Sequence, residues 1–186
     1  MNKPAVEIDI EHATSMLTKA GEDQYLTFQL GEEEYGIDIL RIQEIRSWEG
    51  ATTIPNTPDY VLGVVNLRGI VVPILDLRKR FNLPSADFNE TTVVVVVEVM
   101  HEGNERVIGA VVDSVSDVYN FSVDDIGETP DMGTHISAEV VKGLAMAEDK
   151  MIILLDIDKL ITLGLLDDVG VSGASEAGND IAELTE

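Results

Sequence analysis

A block made of a strand, a turn, a second strand and an aspartate occurs twice in this chain. Gly63 to Asp76 reads Gly-Val-Val-Asn-Leu-Arg-Gly-Ile-Val-Val-Pro-Ile-Leu-Asp, and Gly143 to Asp156 reads Gly-Leu-Ala-Met-Ala-Glu-Asp-Lys-Met-Ile-Ile-Leu-Leu-Asp, the aspartate standing 13 positions after the glycine in both. Upstream, Gly36 to Glu44 and Gly109 to Asp117 are matching eight-residue steps, followed by Ile45 and Val118. An internal repeat constrains a fold more tightly than local propensity does, because every strand of the unit must find equivalent surroundings twice.

The repeating unit is built of β-structure. Tyr25 to Leu30 alternates, with Leu26, Phe28 and Leu30 on one face, the period of a β-strand. Tyr35 to Ile39 and Ile42 to Trp48 follow, separated by a helical turn near Leu40. Gly63 to Leu67 and Ile70 to Leu75 flank Arg68-Gly69, a hairpin turn in which glycine supplies a positive φ. Val93 to Val97 is a strand buried on both faces, since polar alternation is missing. It turns at His101 to Glu105 into Val107 to Val112, and Val140 to Met146 and Met151 to Ile157 complete the second half. Short helices are expected at Asp76 to Phe81 and Ile157 to Leu163. Asp76 and Asp156 fit as their N-caps, where a carboxylate accepts from orphan backbone amides. About five short strands per half, joined by tight turns, predict two small barrels rather than one open sheet.

Composition narrows the class of function. With 35 acidic against 12 basic residues the formal net charge is −23, a field that repels phosphate backbones and anionic lipid surfaces. Residues 1–23 carry a net −3 and residues 167–186 a net −6, so the body between them still carries −14. Nucleic acid is therefore not an expected partner. There is no cysteine, which rules out disulfides and thiolate zinc sites and fits a reducing cytoplasm. No apolar leader is read at the N-terminus, and the longest apolar run, Val93 to Val97, is far below the ~20 residues that span a bilayer. Both ends are expected to be flexible acidic extensions, residues 1–22 and 167–186, around a body at 23–166.

Catalytic parts are missing from the pattern. His12, His101 and His135 are scattered and form no metal-ligand spacing, and there is no nucleophile elbow, phosphate-cradling glycine loop or cysteine nucleophile. A hydrolase could use Asp76 or Asp156 with the abundant glutamates; capping explains the two aspartates more simply. No metal, no cofactor and no enzyme activity are expected.

Three ordered segments carry a resemblance. Tyr35-Gly36-Ile37-Asp38-Ile39-Leu40-Arg41-Ile42-Gln43-Glu44-Ile45-Arg46, then Gly63 to Arg78 with its Asn-Leu-Arg-Gly core, then Val111-Val112-Asp113-Ser114-Val115-Ser116-Asp117-Val118 resemble the signatures of the CheW-like domain family of chemotaxis coupling proteins. The likeness covers about residues 24–163. It implies a mainly β fold of two intertwined five-stranded SH3-like barrels with short helices. It also implies a cytoplasmic adaptor, recruited to the inner face of the membrane through receptors, that binds methyl-accepting chemoreceptors and the regulatory domain of the histidine kinase CheA. An adaptor of another chemosensory array, such as one controlling pilus motility, fits the same segments.

Site residues follow from that resemblance. Glu44 and Arg68 are expected to meet beside a receptor groove lined by Ile39 and Ile42, with Val93 at its edge. A guanidinium can grip a carboxylate through two parallel hydrogen bonds; alone, an exposed hairpin arginine contributes at most ~1 kcal/mol. Core packing is the plainer reading of Ile39, Ile42 and Val93. Trp48, the single tryptophan, stands near a strand end that would face the kinase, where it serves as an interface anchor or as a core plug.

Overall fold

The computed structural model describes residues 22–84, 87–130 and 136–163. All of the expected extensions except Glu22 lies outside them. Among the described residues ten strands run in order: β1 (Glu22–Leu30), β2 (Glu33–Asp38), β3 (Ile42–Ser47), β4 (Val61–Leu67), β5 (Ile70–Asp76), β6 (Val93–His101), β7 (Asn104–Val112), β8 (Ser114–Ser122), β9 (Val141–Ala147) and β10 (Lys150–Leu155). Helices α1 (Leu77–Arg80) and α2 (Ile157–Thr162) follow β5 and β10, and 3-10 turns occupy Ile39–Arg41 and Val123–Asp125.

Two five-stranded sheets result, in the orders β8-β1-β2-β10-β9 and β3-β6-β7-β5-β4. Exchanging each strand for its counterpart in the other half converts one order into the other, so the sequence repeat is a structural one. Each sheet draws strands from both halves, which makes the two units intertwined. The parallel contacts share a register: Gly36 of β2 lies opposite Leu154 of β10, and Gly109 of β7 lies opposite Ile74 of β5. Even the strand-end hydrogen bonds repeat, from the Asp76 amide to the Tyr60 carbonyl and from the Asp156 amide to the Val140 carbonyl.

The outer strands curl together because the chain beyond one of them crosses the other. Isolated bridges join Thr52 to Val64 and Gly127 to Leu144, closing each sheet into a barrel. Glycine opens both repeats for this reason. At Gly63, with φ 141°, a Cβ would lie 2.1 Å from the Thr52 carbonyl oxygen; at Gly143 it would lie 2.4 Å from Ile126 Cγ2.

Among the described residues three apolar clusters form the core. Tyr25, Phe121, Ala145, Ile152 and Leu154 fill the first barrel. Leu67, Val72, Ile74, Val94, Val96 and Val111 fill the second. The largest lies between them and is shared, taking Leu26, Phe28 and Leu30 from β1 and Val95, Val97 and Val99 from β6. The valine run is thus buried on both faces because its two faces belong to two cores. Tyr35 stacks between Phe28 and Phe81 at centroid distances of 6.0 and 5.6 Å.

Asp76 caps α1 through the Arg78 and Lys79 amides, and Asp156 caps α2 through the Lys159 amide. Three details depart from the sequence reading. β8 is a strand that the sequence pattern does not reveal, because its polar Ser116, Asp117 and Asn120 obscure the alternation. The third strand ends at Ser47, leaving Trp48 beyond it. At the β4–β5 turn Arg68 has positive φ as well as Gly69, 52° and 87°, the two-residue geometry that matches strand twist.

Candidate functional site

β3 and β4 are the outer strands of the second barrel, and the seam between them gathers most of the polar candidates. The pairing of β3 with β6 shifts register between Ile42 and Glu44, a bulge that re-aims the side chains beyond it. Gln43, at the bulge, donates to Glu98 at 2.9 Å. Glu44 then meets the β4–β5 hairpin tip: Arg68 Nη2 donates to Glu44 Oε2 at 2.9 Å, and Arg46 Nη1 lies 3.8 Å from Oε1. The contact is one hydrogen bond, not a two-point grip. The turn is held independently of it, since the Gly69 amide donates to Asn66 Oδ1 at 2.9 Å.

Arg68 is 86% exposed while Glu44 is 23% exposed. The guanidinium is therefore steered by a half-buried acid yet open to a partner, with exposed Ile70 and Val71 next to it on β5. A pair this open contributes at most ~1 kcal/mol to folding.

The apolar candidates separate. Ile39 is 4% exposed, a core residue. Ile42 and Val93 are half-buried, both against the shared core. They stand at opposite ends of the β3–β6 pair, Ile42 opposite Val97 and Val93 opposite Ser47, roughly 13 Å apart at the usual strand rise. Ile45, opposite Val95 and packed on the same core, lies between them and joins them into one strip. Leu40, in the turn beside Ile39, is 79% exposed. Sequence reasoning missed both Leu40 and Ile45.

Farther along the seam a cavity of about 240 Å³ opens, with Arg46 and Trp48 among the residues at its mouth and Leu67, Ile74, Val94 and Val96 among those beneath. Trp48 is half-buried and packs on Phe88, 5.1 Å between ring centroids. In the first barrel the equivalent positions hold Tyr119 and Phe121, which stack at 6.0 Å and pack against that barrel's core. A stacked aromatic pair packed on the core stands at one seam, and the cavity opens at the other.

Among the described residues no group of three or more His, Asp or Glu side chains is placed to hold a metal ion. His12 and His135 lie outside those residues. No described helix is long and apolar enough to cross a membrane.

Comparison with known proteins adds to this geometry. The sequence model of the CheW-like domain matches residues 24–164. The chain is 43% identical over 159 residues to the Chemotaxis protein CheW of Klebsiella aerogenes, covering 82% of this chain and 93% of that one. With the Chemotaxis protein CheW of Rhizobium meliloti it shares 36% identity over 149 residues, 80% and 93% of the two lengths. Its fold is similar to the crystal structure of the scaffolding protein TtCheW from Thermoanaerobacter tengcongensis, with a TM-score of 0.68 at 32% identity over 76% of this chain and 89% of that one.

Proposed function

The chain belongs to the CheW-like domain family, and from that premise we propose that it is a non-catalytic chemotaxis adaptor that holds methyl-accepting chemoreceptors and the histidine kinase CheA together. The observation that carries this reading is Arg68. It sits at a hairpin tip closed by the Gly69–Asn66 hydrogen bond, pairs with Glu44, which stands between Ile42 and Ile45 in β3, and remains 86% exposed. A receptor helix laid along Ile42, Ile45 and Val93 would bury its apolar face there, with Leu40 at one end and the guanidinium available to a receptor carboxylate. Ile39 supports the strip from below.

The open seam is the kinase side of the proposal. Trp48 at the mouth of a cavity with an apolar floor suits an anchor residue of a similar barrel, since interface tryptophans in pockets often dominate binding. The protein then reaches the inner face of the membrane only through its receptors. The names of its relatives, a chemotaxis protein and a scaffolding protein, support the adaptor role.

Pull-down of receptors and CheA by the purified chain tests the proposal. Both should be retained by wild type, Arg68→Ala should retain severalfold less receptor while keeping CheA, and Trp48→Ala should do the reverse. Retention of neither partner by wild type would contradict the adaptor reading.

A further inference from the structure

The two halves of the chain repeat an ion pair as well as their strands, and the repeat reverses its polarity. Arg41 Nη2, in the turn between β2 and β3, lies 2.6 Å from Asp158 Oδ2 of α2. Arg78 of α1 donates from Nε to Asp113 Oδ1 at 2.6 Å and from Nη2 to Oδ2, with Asp113 standing between β7 and β8. Helix α1 is the counterpart of α2, and the β7–β8 junction is the counterpart of the β2–β3 junction. One helix presents the cation and the other presents the anion.

Each carboxylate also holds a backbone amide of the opposite barrel. Asp158, behind the last strand of the first barrel, accepts from the Met100 amide at the end of β6 in the second, at 2.7 Å. Asp113, paired with the helix that follows the second barrel, accepts from the Gly31 amide at the β1–β2 turn of the first, also at 2.7 Å. Both sites therefore tie the barrels to one another. Side-chain exposures of 17–33% leave these pairs less screened than the Arg68 contact.

We propose that these two pairs are clasps that set the angle between the barrels and, resting on the adaptor reading above, that Arg41, Asp158, Arg78 and Asp113 are positioning residues for the receptor strip. The shared core cannot set that angle alone, because apolar burial is non-directional, whereas a hydrogen bond weakens steeply away from its preferred geometry. The clasps also adjoin the strip. Arg41 lies between Ile39 and Ile42, and Asp158 holds the far end of β6. At the near end Thr91 donates its hydroxyl to the Asp113 carbonyl at 2.9 Å, two residues before Val93, and Val93 is opposite Val112. Strand β6, the floor of the strip, is gripped at both ends.

The absence of cysteine allows two spin labels to be introduced cleanly, at Asp124→Cys beside the first barrel and Glu105→Cys on the second, both exposed. Double electron–electron resonance then reads the distance between barrels, and affinity for membranes carrying a methyl-accepting chemoreceptor reads the consequence. Arg41→Ala and Asp113→Asn should each broaden or shift the distance distribution and weaken receptor affinity roughly tenfold. Lys150→Ala, which breaks a pair with Glu34 inside the first barrel, should change neither. Should Asp113→Asn fail to fold, Arg41→Ala carries the test. Unaltered distances in the clasp variants overturn the clasps even if wild type binds receptor. Altered distances with unaltered affinity overturn the positioning role. Loss of receptor binding by wild type itself overturns the adaptor reading, and the distances still decide whether the clasps set the angle.

Discussion

At Arg68 the difference between a folding role and a binding role is measurable, because the side chain is fixed at one atom and open elsewhere. Arg68→Ala should change unfolding stability by no more than about 0.5 kcal/mol, while receptor binding falls severalfold. Arg68→Lys should also be impaired, since an ammonium does not reproduce the planar donor geometry. A double-mutant cycle with Glu44→Ala on receptor binding should give a non-zero coupling energy; strict additivity would show that Glu44 does not steer the arginine. A second residue offers a test by pH. Burial, followed by the hydrogen bond to Glu33 and the charge of that carboxylate, pushes the Tyr35 hydroxyl far above its ordinary value of 10.0. The unfolded chain loses this proton near pH 10 and the folded chain keeps it. Stability contributed by Tyr35 is therefore complete below pH 10 and declines as the pH rises beyond it. Thermal melts of wild type should fall more steeply above pH 10 than those of Tyr35→Phe, and parallel curves would show that the hydroxyl is not protected.

Among the elements, the barrel-closing glycines make the sharpest stability prediction. A methyl group at position 63 would meet a backbone carbonyl at a φ that side chains rarely adopt, so Gly63→Ala should cost about 3 kcal/mol, the upper end for overpacking. Denaturant melts check this, and a loss below 1 kcal/mol would mean that the Thr52–Val64 crossing is loose. The same elements show what sequence could convey. Regular alternation in β1, the valine run of β6 and the capping aspartates were legible because each has one local cause. β8 was not, because its polar side chains interleave with half-buried ones. Ile45 escaped notice because it is three residues from Ile42 and so belongs to the opposite face of a regular strand; the bulge near Gln43 restores it to the same face. Leu40 was legible as part of a turn but not as a surface anchor, because a side chain in a three-residue 3-10 turn follows no strand parity that assigns it to a face. The meeting of Glu44 with Arg68 was expected from family resemblance, and no spacing in the chain would have supplied it.

For the whole molecule, the repeat implied two equivalent units but could not say that each half of the chain contributes to both. That crossing of strands, with one core shared between the barrels, has a consequence for folding. Residues 1–84 and 85–186 should each be unfolded when produced alone, because neither contains a complete sheet, and should recover native circular dichroism when mixed. Independent folding of either fragment would contradict the intertwined architecture. The central claim is about coupling, and reconstituted receptor membranes with CheA test it most directly, by following kinase phosphorylation with and without attractant. Adding the wild-type protein should bring the kinase under receptor control and adding Arg68→Ala at the same concentration should not; equal receptor control in the absence of the protein, or full control with Arg68→Ala, would contradict the account.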